Sequence, residues 1–140
     1  MSTAAEVSDK FFSFYGAIFK ALDVAMTESG LSHSKYKILY QLDTRGPLRL
    51  TELAEHFAFA PRSITEAVDN LERDGLAARE PDPTDRRAKL VSISPQGKAA
   101  LEATKKVKAK VVQQIFGKLD ADQRAQLGAT LETLLAAATK

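Results

Sequence analysis

The apolar positions of this chain recur with two periods, and the places where the period changes divide it into elements. Over residues 5–28, Phe11, Tyr15, Phe19, Leu22 and Met26 stand at helical spacing while Lys10, Lys20, Asp23 and Glu28 fall on other faces, which predicts a long first helix. Gly30 ends it. Ser32 offers a cap to the next helix, and Leu31 before that cap with Tyr36 four positions inside matches a hydrophobic staple. This second helix runs to about Thr44 and stops at Gly46-Pro47. Leu48-Arg49-Leu50 is a stub of strand, after which Thr51 offers an N-cap to a short helix ending at Phe57.

Pro61 suits a first helical turn, and Ile64, Ala67, Val68 and Leu71 follow at i, i+3, i+4 and i+7, so another helix with one buried stripe runs to a stop at Gly75. Its opposite face carries Arg62, Glu66, Asp69 and Arg73, flanked by Ser63, Thr65 and Asn70. Two short helices around the turn at 58–60 form a helix-turn-helix over about 50–74. The period then falls to two. Residues 76–81 and 88–94 read as strands, and Pro81-Asp82-Pro83-Thr84-Asp85 between them is rich in turn formers, giving a hairpin over about 76–94 with a charged tip. Ser94-Pro95 caps a long helix carrying Leu101, Val107, Val111, Val112, Ile115 and Phe116. Asp120 with Gln123 resembles a capping box, and Leu127, Leu131, Leu134, Leu135 and Ala138 mark a last helix.

Composition narrows the function classes. A chain of 140 residues suits one domain with one core. The absence of cysteine removes disulfides, thiolate metal sites and a cysteine redox switch. The N-terminus lacks the basic start and apolar run of a signal peptide, and no stretch approaches the ~20 apolar residues of a spanning helix, so a cytoplasmic protein without membrane contact is expected. No nucleophile elbow, phosphate-binding glycine loop or HExxH is present, which argues against an enzyme, and no cofactor is implied. His33 and His56 lie far apart and make no metal site.

Net charge is only +2, and its distribution says more. Residues 98–120 carry +4, in which the lysines from Lys105 to Lys110 read as solvated or snorkelling around apolar surface. Residues 51–75 set Arg62 and Arg73 against Glu52, Glu55, Glu66, Asp69, Glu72 and Asp74, a net of −4. A helix-turn-helix followed directly by a two-stranded wing nevertheless places one helix in a major groove and the hairpin beside it. On that reading Arg62, Ser63, Thr65, Glu66, Asp69, Asn70 and Arg73 face DNA, and Arg86, Arg87 and Lys89 near the wing tip reach phosphates or a narrow minor groove. Asp85 orients one of those arginines, because a carboxylate accepts a guanidinium fork.

Asp85, Arg87, Val91, Ile93, Ser94 and Gly97, together with Leu71, Gly75 and Leu76, resemble the wing and helix-turn-helix pattern of the MarR family, with the likeness running along essentially the whole chain. Ile93 and Ser94 stand where that pattern has Leu and Thr. Ala60 and Glu66 are departures, standing where members often carry a serine-type cap and a basic residue.

The resemblance implies a mainly α fold with a small β-wing. Its order is helix, helix, strand, helix, helix, strand, strand, helix, helix, with residues 31–95 as the winged helix-turn-helix. Residues 1–30 and 95–140 would be dimerisation helices. It further implies a homodimer on a pseudo-palindromic operator, with repression as the expected outcome, and a small aromatic or amphipathic effector. Tyr15, His33 and Tyr36 are the residues expected to border the effector site. The competing reading is a winged-helix protein-interaction module that no longer binds DNA, which the −4 segment favours.

Overall fold

The computed structural model describes residues 1–57 and 61–139; the turn at 58–60, including the cap position Ala60, and the side chains of Pro61 and Arg62 lie outside the described residues. The elements are α1 (Ala4–Glu28), α2 (His33–Arg45), β1 (Leu48–Arg49), α3 (Leu50–Phe57), α4 (Pro61–Arg73), β2 (Ala77–Pro81), β3 (Lys89–Ile93), α5 (Pro95–Phe116) and α6 (Ala121–Ala138). Two compact units divide the chain, residues 1–108 and 109–140, with the boundary inside α5. Among the described residues no helix is long and apolar enough to cross a membrane.

The first unit is built around apolar positions of α2, α3, α4 and β3, among them the α4 stripe that the periodicity selected, whereas Phe11, Tyr15 and Phe19 of the α1 stripe are exposed. Ile64, Val68 and Leu71 of α4, Leu53 of α3, Ile38, Leu39 and Leu42 of α2, and Val91 of β3 are all fully or almost fully buried. Each such side chain contributes about 1.5–3 kcal/mol relative to exposure. Leu31 and Tyr36 are buried together at the start of α2, where Ser32 Oγ accepts from the Lys35 N–H at 3.4 Å. The cap therefore forms as the sequence indicates, and both staple positions are buried.

One boundary differs from expectation. Thr51 does not cap α3, which starts at Leu50. Glu52 reaches back from the first turn, and its Oε1 accepts from the Arg49 N–H at 3.0 Å, so a long carboxylate satisfies the group that a hydroxyl at 51 would have left open.

The strands form an antiparallel sheet in the order β1-β3-β2. Leu48 pairs with Val91, while Ala77 pairs with Ile93 and Pro81 with Lys89 at the far end of the hairpin. Where α4 ends, Gly75 adopts φ +75°, a left-handed turn that favours glycine. The chain then makes a tight corner. Ser94 Oγ donates to the Gly75 carbonyl at 2.6 Å and accepts from the Gly97 N–H at 2.9 Å, while the Ser94 N–H donates to the Leu76 carbonyl at 3.1 Å. Gly97 sits so close that a Cβ would overlap the Leu76 carbonyl oxygen and approach Ile93 Cγ1 to 2.8 Å. One serine and one glycine thus pin the end of α4, both wing strands and the start of α5.

In the second unit, Asp120 Oδ1 accepts from the Gln123 N–H at 2.8 Å and Gln123 Oε1 accepts from the Asp120 N–H at 3.0 Å, completing the capping box. No residue of α6 is buried, and Leu127, Leu131, Leu134 and Leu135 remain exposed.

Candidate nucleic-acid interface and adjoining cavity

The outward side of α4 is polar because its apolar stripe is spent on the core. Ser63, Thr65, Glu66, Asp69 and Arg73 are exposed, and Asn70 is half-buried. At the wing tip Arg86, Arg87 and Lys89 are exposed, Arg87 almost completely, with 95% of its side chain accessible. Asp85 orders the turn mainly through the backbone. Its Oδ1 accepts from the Arg87 N–H at 3.0 Å, whereas the Arg87 guanidinium Nε stands 3.7 Å away. The arginine is thus loosely paired and projects into solvent.

Three ion pairs, centred on two arginines, hold this surface in shape. At the tip end of the wing strands Arg49 of β1 donates from Nε to Asp82 Oδ2 at 2.8 Å, with Nη2 at 2.6 Å. Asp82 is buried and its Oδ1 accepts from both the N–H and the hydroxyl of Thr84, each at 2.8 Å. Those two Thr84 bonds, followed by Arg49, hold its carboxyl at about 2 despite the opposing effect of burial. Nearer the recognition face, Arg79 of β2 engages two carboxylates of α4. Nη2 donates to Asp69 Oδ1 at 2.6 Å, Nη1 to Glu72 Oε1 at 3.2 Å, and the Arg79 N–H to Glu72 Oε2 at 3.1 Å. Asp69, expected among the groove contacts, therefore has a partner within the chain.

A basic groove of about 460 Å³ lies beside these pairs, lined by Arg49, Leu50, Thr51, Arg79, Arg87, Ala88 and Lys89. A separate open cavity of about 740 Å³ is formed by Tyr36, Lys37, Tyr40 and Gln41 of α2, His56 and Phe57 of α3, and Lys105 and Lys108 of α5. Its lysines lie over rings: Lys108 over Tyr36 at 5.1 Å, Lys37 over Phe57 at 5.3 Å and Lys105 over Tyr40 at 5.7 Å. Burial pushes the Tyr36 phenol up, so it stays neutral, and Glu102, bonded to Lys105 at 3.0 Å, raises that ammonium and keeps it charged. The Gln41 Oε1 is buried without a hydrogen-bond partner among the described residues.

Of Tyr15, His33 and Tyr36, only Tyr36 lines this cavity. Tyr15 lies in an aromatic row on α1, stacked 6.2 Å from both Phe11 and Phe19, and His33 packs edge-on against Phe19 at 5.0 Å. Burial, then Lys37 and Lys108, lower the His33 pKa. The correction follows from helix geometry: positions 37, 40 and 41 share the cavity side of α2 with Tyr36.

A family model described as MarR family matches residues 31–89. YxaD of Bacillus subtilis, an uncharacterized HTH-type transcriptional regulator, is 31% identical over 114 residues, covering 81% of this chain and 80% of YxaD. YkoM of the same organism, described in the same way, is 29% identical over 100 residues, covering 71% of this chain and 65% of YkoM, just under two thirds. Sco3205 of Streptomyces coelicolor, a MarR family transcriptional regulator solved in complex with DNA, superimposes with a TM-score of 0.80 at 27% identity over 96% of this chain and 88% of Sco3205. The chain belongs to the MarR family.

Membership places it among transcriptional regulators rather than enzymes, and its winged-helix architecture is that of the family. The MarR-like wing residues also acquire reasons. Gly97 is a close approach, Ser94 a double hydrogen-bonding corner, and Asp85 the turn that presents Arg87. Sequence reasoning missed the functions of Arg49, Arg79 and Asp82, whose partners lie 33, 10 and 33 positions away. A burial cue existed only for Asp82, in the turn-former run, where an aspartate two residues before a threonine suits an Asx turn.

Proposed function

We propose that this MarR-family chain is a sequence-specific, homodimeric DNA-binding repressor of the cytoplasm, relieved by a small aromatic or amphipathic anion. The observation that carries the reading is the polar face of α4 presented beside the exposed wing cations Arg86, Arg87 and Lys89. Ser63, Thr65, Glu66 and Asn70 then meet base edges in the major groove, Glu66 by accepting from a cytosine amino group, and Arg73 and the wing cations meet backbone or minor groove. Residues 31–95 serve as the reading module, with 1–30 and 95–140 supplying dimerisation helices. Support for the dimer comes from Phe11, Phe12, Phe14, Tyr15 and Phe19 on α1 and Leu127, Leu131, Leu134 and Leu135 on α6, all exposed in one protomer. Two reading heads about one turn apart, ~34–36 Å, occupy a pseudo-palindrome and occlude it.

The cavity beneath α2 suits the effector. Its volume falls in the ~300–1,000 Å³ range of ligand pockets, its rings offer stacking surface, and Lys37, Lys105 and Lys108 offer charge. An anion bound there changes DNA affinity only by its differential affinity for the two conformations of the dimer.

The protein-interaction reading drew on the acidity of residues 51–75, and Arg79 weakens it by taking up Asp69 and Glu72. Selection of random duplexes by the purified protein, followed by fluorescence anisotropy across a salt series, tests the choice. A pseudo-palindromic consensus bound with a steep salt dependence is expected. Recovery of random sequence, bound no better than a scrambled duplex, overturns DNA recognition in favour of the protein-interaction module.

A further inference from the structure

We infer that Arg79 is a positioning residue for DNA recognition: by gripping Asp69 and Glu72 at once, it locks the recognition helix to the first wing strand and masks two carboxylates from the phosphate backbone. The inference rests on the DNA-binding reading above and adds to it a residue that does not itself need to touch DNA.

The geometry is unusual for a surface charge. Exposed ion pairs contribute little because water screens them and two flexible side chains must be ordered. Here the Arg79 side chain is only 16% exposed, and its planar fork spans two acceptors on successive turns of one helix. Glu72 is held from two sides, by the Arg79 side chain and by the Arg79 N–H, so the carboxylate cannot swing toward solvent without releasing the strand. On the strand side, Arg79 is paired across to Val91, which is fully buried. The clamp therefore ties a fixed point of the wing to the second half of α4.

Its electrostatic effect follows from where it sits. Asp69 shares the outward side of α4 with Glu66 and Arg73, and Arg79 itself lines the basic groove with Arg49, Arg87 and Lys89. Phosphates drawn toward that groove meet, without Arg79, two uncompensated carboxylates on its border. With Arg79 in place the same region carries one net negative charge instead of two. An orientation effect accompanies this, because wing cations add to helix contacts only if both reach DNA in one register.

The test uses the full chain and the duplex that the wild-type protein itself selects. Arg79→Ala should weaken binding about tenfold at ~150 mM salt and make the salt dependence shallower, comparable to losing one or two phosphate contacts. Circular dichroism confirms folding at the assay temperature. The deciding measurement is a cycle with Asp69→Asn/Glu72→Gln. Neutralising the two acids in the wild-type background frees the Arg79 charge but also breaks the clamp, so the two effects oppose and affinity should change little. In the Arg79→Ala background, where no clamp remains to lose, it should recover the electrostatic share of the lost affinity. Arg79→Lys keeps the charge but loses the fork, and should recover affinity only in part. Equal gains in both backgrounds, or wild-type affinity and salt slope in a folded Arg79→Ala protein, overturn the positioning role while leaving DNA recognition intact. A wild-type protein that binds no duplex overturns the functional reading, and the positioning role with it.

Discussion

Gly97→Ala gives a sharp test of the wing corner because two ordinary effects push its sign in opposite directions. In a helix, alanine is normally favoured over glycine by about 0.5–1 kcal/mol, since glycine loses more backbone freedom on folding. Position 97 lies in the first turn of α5, so with open space around it the substitution should stabilise the protein. The surroundings are not open: the new Cβ overlaps the Leu76 carbonyl oxygen and comes within 2.8 Å of Ile93 Cγ1. Ile93 can shift a side chain, but the Leu76 carbonyl is backbone and already accepts from the Ser94 N–H at 3.1 Å. Overpacking costs about 1–3 kcal/mol and lies at the upper end where backbone must move. The net loss is then about 2 kcal/mol, or a fall in Tm of about 4–8 °C for a chain of this size. Thermal unfolding by circular dichroism, at one fixed protein concentration because the Tm of the proposed dimer would depend on it, reads the effect. An unchanged or raised Tm would show that α5 does not approach β2 this closely.

Arg87→Ala should weaken DNA binding across all sequences and lower the slope of log affinity against log salt by about one; an unchanged slope removes Arg87 from the phosphate contacts. Asp82 contributes through a carboxylate held near 2 rather than its ordinary 3.8. Its stabilisation is therefore complete above about pH 4 and is lost as pH falls through about 2. Asp82→Asn should flatten the denaturant midpoint over that window relative to wild type, and parallel curves would contradict the Thr84 and Arg49 bonding. Leu131→Glu, which places a charge among the exposed leucines of α6, should convert a dimer to monomer in sedimentation at micromolar concentration; a persistent dimer locates the interface elsewhere.

The helices and hairpin were legible because each carries its own signal. The α4 stripe, the Ser32 cap and the Asp120–Gln123 box are local patterns that needed no distant partner, whereas the Thr51 cap gave way to the Glu52–Arg49 bond. The corner at Gly97 was legible only as a motif. Its physical reason requires Leu76, just before β2, and Ile93, at the end of β3, to be brought together at the start of α5. The cavity proposed to take the effector was less legible still. Tyr15, His33 and Tyr36 share aromatic or imidazole chemistry, but the cavity is assembled from three helices, and only Tyr36 stands on the side of α2 that faces it. Lys105 and Lys108 were read as snorkelling, and they do lie over tyrosine rings; their value to a ligand appears once those rings become the wall of a cavity.

The acidity of the helix-turn-helix shows why charge along a sequence differs from charge on a face. Residues 51–75 sum to −4, which set the family pattern against the electrostatics of DNA. In the folded chain Asp69 and Glu72 share Arg79, Asp74 stands 3.7 Å from Lys35, and Glu52 is turned back onto the Arg49 N–H. Each of these partners lies outside the acidic segment, so no count taken within it could find the compensation. Across the same fold, Arg86, Arg87 and Lys89 stay exposed at the wing. What DNA approaches is therefore a helix whose carboxylates are largely engaged and a hairpin whose cations are extended. This predicts that salt dependence resides in the wing and sequence preference in α4, and a binding study that varies the two separately distinguishes them.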